Sequence, residues 1–253
     1  MNIWGQSLVA AILAGLAGTA ALAADSAGAR AETDEGSTPP EMTETDLKLP
    51  RLAERIKAHQ AATIVAIGGA STIGQAAGSP DLSYPHRLGE ELAKDFPDSP
   101  ITVTNKGVPR QSAKQMYERF PTDVFAEDPV LVIWEVGIND AVRGIDLDEF
   151  AQSLQDGLAE LKNRAIDTML MDMQFSRSSA TVINFEGYLT ALHRAGDVAD
   201  VYVFPRYEAM RYWSEQKVFN FDDVAPEDRA RLAARVYNCL GRKLADVIQH
   251  AVR

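Results

Sequence analysis

The strongest strand signal in this chain is the run Pro129-Val130-Leu131-Val132-Ile133-Trp134-Glu135-Val136, which ends at Gly137. Its apolar residues are nearly continuous rather than alternating, and such a run is typical of a parallel strand covered by helices on both faces. The chain has 253 residues and a hydrophobic content of 46%, enough for one substantial core. The run therefore predicts a central strand of an α/β domain.

Apolar and amphipathic segments alternate on both sides of this run. The predicted strands are residues 63–67, 101–104, 129–136, 168–173 and 201–204. The predicted helices are residues 84–95, 113–120, 148–164, 185–195 and 227–251, the last as one helix or two. This alternation predicts a doubly wound parallel sheet with right-handed crossovers, in one α/β domain that spans residues 47–253.

The N-terminus has the pattern of a secretory signal peptide. An apolar run ends in Ala21-Leu22-Ala23, a small-x-small cleavage pattern. We expect residues 1–23 to be a signal peptide and residues 24–46 a disordered spacer, with a periplasmic or secreted mature protein that keeps no membrane span. Because residues 1–6 contain no Lys or Arg, an uncleaved N-terminal anchor is the alternative.

Charge and cysteine content exclude several classes of function. The formal net charge is −11, and nucleic-acid surfaces need clustered Lys and Arg, so we expect no nucleic-acid partner. Cys239 is the only cysteine, which rules out an internal disulfide and a thiolate metal cluster. P-loop, dinucleotide-binding and zinc motifs are also missing, so we expect no cofactor and no metal. The oligomeric state is left open.

Polar loops follow the first three predicted strands. They are Gly68-Gly69-Ala70-Ser71-Thr72, Asn105-Lys106-Gly107-Val108-Pro109-Arg110 and Gly137-Ile138-Asn139-Asp140. Because the carboxyl ends of parallel strands meet at one edge of a sheet, we expect these loops to lie together.

In this order the loops resemble those of the SGNH/GDSL hydrolase family, over most of residues 63–252. Ser71 falls on the nucleophilic serine of that family, and Asn139 falls on its oxyanion-donating Asn. Three more pieces look like one bacterial branch: Ser83-Tyr84-Pro85, Trp134-Glu135-Val136-Gly137-Ile138-Asn139-Asp140 and Arg206-Tyr207-Glu208-Ala209-Met210. The resemblance implies a flavodoxin-like three-layer α/β/α sandwich with a parallel five-stranded sheet. It also implies action on acyl or acetyl esters of glycans or lipids.

Two positions in these loops depart from the family pattern. Ala70 replaces the usual Asp before the nucleophile, and Arg110 replaces a glycine whose N–H is an oxyanion donor in the family. Glycine permits close approach and a positive φ, and an oxyanion donor is worth about 10² to 10³ in rate. The candidate binding residues around Ser71 are Gly69, Gly107, Arg110, Gly137, Asp140 and Arg231.

The last motif of the family, Asp-x-x-His before the final helix, has no histidine in this chain. In one alignment Asp222 stands at the Asp position and Ala225 at the His position of the motif. In the other, Asp228 and Arg231 stand at these two positions. Neither supplies a base, because a guanidinium stays protonated. Asp222 or Asp228 could accept the proton of Ser71 only with a strongly raised pKa. Both alignments stay open.

The four histidines offer no replacement base in the sequence. His193 is expected on an exposed helix face and His86 at a surface position near a helix start. His59 and His250 are expected to be structural.

Three functions remain after these observations. The favoured hypothesis is a degenerate family member that binds a ligand, with Arg110 and Arg231 directing positive charge towards Ser71 and Asn139 for a carboxylate, phosphate or sulfate. The second is a slow serine esterase that uses a carboxylate base, or a base from a partner. The third is a secreted interaction protein without turnover.

Overall fold

The computed structural model describes residues 35–42, 45–175 and 185–253. The predicted signal peptide, residues 1–23, and most of the predicted spacer lie outside the described residues. Gly36–Arg253 forms one unit by its internal contacts. Within the described ranges, no helix is long and apolar enough to cross a bilayer.

Parallel strands form the centre of the fold. They are β1 (Ala62–Gly68), β2 (Ile101–Gly107), β3 (Leu131–Glu135), β4 (Asp167–Met171) and β5 (Tyr202–Phe204). Their order in the five-stranded sheet is β2-β1-β3-β4-β5, which is the flavodoxin-like order. Every residue of β3 is buried, because helices cover both faces of the central strand. The predicted parallel α/β sheet is confirmed.

Helices connect the strands and pack on the sheet. They are α1 (Pro50–Lys57), α2 (Ala70–Ile73), α3 (Tyr84–Asp95), α4 (Ala113–Tyr117), α5 (Ile138–Arg143), α6 (Leu147–Asn163), α7 (Phe185–Ala199), α8 (Arg206–Glu215) and α9 (Arg229–Ala251). Shorter helical turns are Pro40–Met42, Gln75–Ala77, Pro80–Leu82, Phe120–Val124, Phe125–Glu127 and Pro226–Asp228.

Two helical features differ from the sequence prediction. The helix predicted over residues 113–120 ends at Tyr117, and a π-helical turn follows over Phe120–Val124. Pro121 has no N–H to continue an α-helical ladder at this point. Helix α8 has no counterpart among the predicted helices; it follows β5 directly and begins after Pro205.

Alternate residues of the same strands supply two cores, one on each face of the sheet. Ile133 and Met169 belong to the core beneath α1, α3, α8 and α9. Trp134 and Leu170 belong to the core beneath α4, α6 and α7. The molecule therefore has the three layers that the family resemblance implies.

Part of the predicted spacer belongs to the folded unit. The carbonyl of Ser37 accepts a hydrogen bond from Trp213 Nε1 at 3.1 Å. Gly36 is buried, and a Cβ at this position would lie 2.4 Å from Cys239 Sγ. Gly36 and Ser37 therefore contact α8 and α9, and the buried indole N–H of Trp213 takes its backbone acceptor from this segment.

Candidate active site

Ser71 lies in the first turn of α2, where β1 passes almost directly into the helix. A Cβ at Gly68 would lie 2.1 Å from Thr72 Oγ1 and 2.7 Å from Glu135 Oε2. Glycine at position 68 is therefore required for this close approach. The turn carries Ser71 to the carboxyl edge of the sheet but leaves it only 6% exposed.

The hydroxyl of Ser71 is fully engaged by its neighbours. It donates to Gln174 Oε1 at 3.1 Å and accepts from Arg206 Nη2 at 3.0 Å. Tyr237 also forms a hydrogen bond with Ser71; burial raises the pKa of Tyr237, and this bond opposes the rise. Neither an amide oxygen nor a guanidinium accepts a proton at ordinary pH, so these contacts hold Ser71 without activating it.

Glu135 fixes both the serine loop and Arg206. Its Oε2 accepts from the N–H of Gly69 and from Thr72 Oγ1, each at 2.9 Å. Its Oε1 lies 3.4 Å from Arg206 Nη1, and the two side chains are only 2% and 1% exposed. This is a buried ion pair whose charges are compensated by further hydrogen bonds, as burial of charge requires.

Side chains from α3 and β2 complete the support of the serine loop. The hydroxyls of Thr72 and Tyr84 lie 2.9 Å apart. Asn105 Nδ2 donates to the carbonyl of Thr72 at 2.6 Å and to Ser83 Oγ at 3.2 Å. The loop is therefore held on several sides by buried or half-buried polar groups, which favours one rigid conformation.

Asn139 lies close to the serine loop, as the family resemblance implies. A Cβ at Gly69 would lie 3.3 Å from Asn139 Nδ2. This Nδ2 donates to the carbonyl of Gln111 at 2.9 Å, which orients the amide. Gly137, just before it, has φ +106°, a conformation for which glycine is favoured. The structure thus brings Gly69 and Asn139 together beside Ser71, whereas a Cβ at Gly137 would meet Met173 and Phe150.

Arg110 keeps the backbone conformation that glycine favours, with φ +66°. Its side chain is exposed and forms no hydrogen bond or ion pair within the described part of the chain. At Gly107, a Cβ would lie 2.3 Å from the backbone N of Ile73, so β2 and α2 touch there. The expectation that Arg110 directs its charge at Ser71 and Asn139 has no contact to support it.

Arg231 and Asp228 pair with each other at the surface. Arg231 Nη2 lies 2.7 Å from Asp228 Oδ1, and their side chains are 74% and 48% exposed. The predicted binding role of Arg231 and the predicted base role of Asp228 therefore have no geometric support.

Asp140 is a structural anchor rather than a binding group. It is 1% exposed, and its two carboxylate oxygens lie 3.0 Å and 3.1 Å from the N–H of Ala113. Burial raises the pKa of Asp140 to about 6, although the hydrogen bond from Ala113 opposes the shift. The predicted contact of Asp140 with a ligand is corrected: its carboxylate holds the start of α4.

A pocket of about 360 Å³ opens beside Ser71. Gln174, Arg206 and Tyr237, the three residues that contact Ser71, all line it. Asp222 also lines this pocket, whereas Asp228 does not. Of the two candidate carboxylates, Asp222 is therefore the one that the structure places near the serine. Ala225, the other residue of that alignment, is exposed.

Three of the four histidines are exposed at the surface. His86 lies on the surface, 3.7 Å from Glu90, and His59 and His250 are also exposed. His193 differs, because its Nε2 lies 3.2 Å from an oxygen of buried Asp172 while its side chain is 45% exposed. His193 therefore contacts a buried carboxylate, a contact that the prediction of an exposed helix histidine did not include. Within the described ranges, no histidine hydrogen-bonds to Ser71.

Sequence reasoning did not identify the side chains that contact Ser71 and the loop that carries it. They are Glu135, Gln174, Arg206 and Tyr237. One available signal was a carboxylate inside the apolar run of β3, since a charge on a buried strand needs a partner. A second signal was that Tyr84, Glu135 and Arg206 each come from one of the three additional family-like pieces.

The sheet order, the serine after β1 and the neighbouring Asn139 define an SGNH/GDSL-like hydrolase fold. The chain belongs to the non-GDSL lipase-like family, whose model matches residues 35–253. No curated protein matches the sequence.

Solved structures share this fold at low sequence identity. A protein assigned to the G-D-S-L lipolytic family from Desulfitobacterium hafniense is 22% identical with a TM-score of 0.58, over 74% of this chain and 99% of that one. The acetylxylan esterase Axe2 from Geobacillus stearothermophilus is 18% identical with a TM-score of 0.58, over 76% and 94%. A two-domain esterase active on acetylated mannans is 19% identical with a TM-score of 0.64, over 81% and 55%.

No metal centre is indicated in the part of the chain that the structure describes. There, no group of three or more His, Cys, Asp or Glu side chains could hold an ion. Around Ser71 the structure places hydrogen-bond donors, the buried ion pair of Glu135 and Arg206, and the hydroxyl itself.

Proposed function

We propose that this protein is a ligand-binding member of its hydrolase-fold family, exported behind its signal peptide, with weak or no ester turnover. The ligand is a small molecule or glycan bearing acceptor oxygens, either an ester or an anion. The arginine that serves this site is Arg206, since Arg110 and Arg231 make no contact with Ser71 or Asn139 in the described part of the chain.

The hydrogen bonds of the Ser71 hydroxyl are the observation that supports this proposal. Its proton is donated to the amide oxygen of Gln174, and its oxygen accepts from the cation of Arg206. A serine nucleophile needs a base within hydrogen-bond reach, and neither neighbour is one. Gln174, Arg206 and Tyr237 also stand between Ser71 and the pocket, which supports binding above the serine rather than attack by it.

One observation favours a second candidate, a slow serine esterase. Asp222 lines the same pocket as Gln174 and Arg206, so a carboxylate is present near the serine. In that mechanism Asp222 would take the proton of Ser71, and Arg206 would stabilise the resulting alkoxide. The exposure of Asp222 argues against it, because a general base must be held within hydrogen-bond reach of the proton that it takes.

Hydrolysis of p-nitrophenyl acetate distinguishes the two candidates. We expect wild type and Ser71→Ala to give the same background rate, and a fluorophosphonate to leave Ser71 unlabelled. Ser37→Ala, at an exposed serine, is the control for nonspecific labelling. A rate that disappears in Ser71→Ala would overturn the binding proposal, and its loss in Asp222→Asn would identify the base.

Thermal unfolding distinguishes a binder from an interaction protein without a ligand. A ligand present at 100 times its Kd adds about 2.7 kcal/mol to the free energy of unfolding. We expect such a rise with acceptor-bearing small molecules. No rise with any of them would favour the interaction protein.

A further inference from the structure

A groove of about 520 Å³ lies at the outer surface between α6 and α7. Leu147 and Ala151 of α6 and Ala191 and Val198 of α7 line its apolar part. Val198 is 77% exposed, more than any other large apolar side chain in the described part of the chain, and Leu147 is 40% exposed. Scattered apolar residues are normal at a surface, but several that share one groove indicate an interaction surface.

Helix α7 presents a second face besides the one that the fold uses. Tyr188 and Leu192 are buried in the core beneath the helix. Ala191, Arg194 and Val198 line the groove and follow one another at spacings of three and four residues, which places them on one helix face. The core is complete without this second face, so the exposure of Val198 is not required by the fold.

Charges of opposite sign occupy the two ends of the groove. Asp148 and Glu186 lie where α6 and α7 begin, and Arg194 lies about two turns further along α7. Among the described residues, none of these three side chains forms a hydrogen bond or an ion pair. Glu186 and Arg194 are about 12 Å apart along the helix axis at 1.5 Å per residue, so they do not pair within one copy.

We propose that the groove is the interface of a homodimer, in which the same groove of a second copy covers it. A two-fold axis near Ala191 sets the two α7 helices antiparallel, so that the basic end of each groove meets the acidic end of the other. Arg194 then faces Glu186 of the partner subunit, and Val198 lies towards the partner's Leu147. A two-fold interface must be complementary to itself, and a groove with one acidic and one basic end has this property.

The interface is separate from the pocket beside Ser71, because the two share no lining residue. The inference therefore goes beyond the proposed binding function and is tested without any ligand. Neither the presence nor the absence of ester turnover bears on it.

Sedimentation velocity on the full chain at about 1 to about 200 µM tests the dimer. We expect a monomer–dimer equilibrium for wild type and a monomer for Val198→Glu, which places a carboxylate opposite the acidic end of the partner groove. Leu82→Glu makes the same kind of exchange at a leucine that is 49% exposed, just before α3, and should dimerise as wild type does.

Two results would overturn the inference. One is a wild-type protein that stays monomeric over the whole concentration range. The other is a dimer that Val198→Glu leaves intact, as would be found if the copies associated through the apolar residues 7–23.

A charge exchange tests the antiparallel arrangement. Arg194→Glu should raise the dimer Kd about tenfold or more, since the substitution occurs twice in a two-fold dimer and sets like charges against each other. Adding Glu186→Arg to Arg194→Glu restores the pair with its signs exchanged, and we expect it to recover most of the lost affinity. Far-UV circular dichroism checks that each variant is folded. A double variant that dimerises no better than Arg194→Glu alone would contradict the assigned contact.

Discussion

Arg206 is the residue on which the site depends most. It enters the core as the first residue of α8 and reaches both Glu135 and Ser71. A guanidinium is suited to this position, because its planar fork of donors serves several acceptors at once. Removing one member of such a pair leaves a buried charge without compensation, which costs much more than the pair itself contributes.

Glu135→Gln tests this dependence at the residue scale. The change preserves shape but leaves the charge of Arg206 uncompensated, and we expect the free energy of unfolding to fall by about 3–5 kcal/mol. Urea denaturation measures the change. Glu54→Gln, which removes one partner of an exposed pair with Arg51, should change it by less than about 1 kcal/mol. Similar small losses for both variants would mean that Glu135 and Arg206 are not a buried pair.

At the scale of elements, the end of β4 holds α7 and α8 together. One oxygen of Asp172 accepts from the N–H of Tyr207 at 2.7 Å, in the first turn of α8. The other oxygen lies 3.2 Å from His193 Nε2 on α7. Asp172 therefore sets the start of the helix that carries Arg206. The contact also links that helix to a residue that titrates near neutral pH.

The hydrogen bond to Asp172 raises the pKa of His193, and Asp197 and Glu208 add to the rise, while burial opposes it. A raised folded-state pKa means that the contribution of His193 to stability is full below its unfolded pKa of about 6.5. It is lost as the pH rises through the folded value. Burial likewise raises the pKa of Asp172, which adds a fall of the same sign at lower pH.

His193→Gln should therefore flatten the loss of stability that begins as the pH rises above about 6.5. Urea denaturation across this range measures the slope, and NMR titration of the imidazole measures the pKa directly. His59→Gln, at an exposed histidine, should retain the wild-type slope. A pH profile of His193→Gln identical to that of wild type would show that the contact with Asp172 does not contribute.

At the scale of the whole molecule, residues 36–42 close one side of the core. Gly36 has φ +80° and lies against Cys239, and the carbonyl of Ser37 satisfies Trp213. This closure involves α8 and α9, the helices that also wall the pocket. The folded unit thus begins before the first long helix, in agreement with the family match that starts at residue 35.

Gly36→Ala and Gly78→Ala form a matched pair that tests this closure. Both glycines have φ near +80°, but a Cβ at Gly78 meets nothing within 4 Å, whereas one at Gly36 would collide with Cys239. We expect Gly78→Ala to lower the free energy of unfolding by about 1–2 kcal/mol, the cost of a left-handed residue with a side chain. Gly36→Ala should cost more, by urea denaturation. A smaller cost for Gly36→Ala would mean that the segment does not pack.

The elements of the fold could be read from local patterns. Continuous apolar runs predicted β1, β3 and β4, and apolar residues at helical spacing predicted α6 and α9. These patterns are visible in the sequence because the buried face of an element requires apolar residues at fixed intervals along the chain. Helix α8 was not predicted, because its sequence combines the buried Arg206 with exposed charged residues and its apolar residues show only weak helical periodicity. A buried arginine looks like a surface residue until its partner is known.

The sequence by itself determined the parallel sheet, the place of Ser71 at its carboxyl edge, the proximity of Asn139 and the absence of a histidine at the family position. Only the tertiary structure decided which side chains meet Ser71. Arg206 lies 135 positions from it along the chain and Gln174 lies 103. Local periodicity records which face of an element is buried, but not which distant groups converge there. That convergence is set by the crossover connections and by the need of each buried charge for a partner.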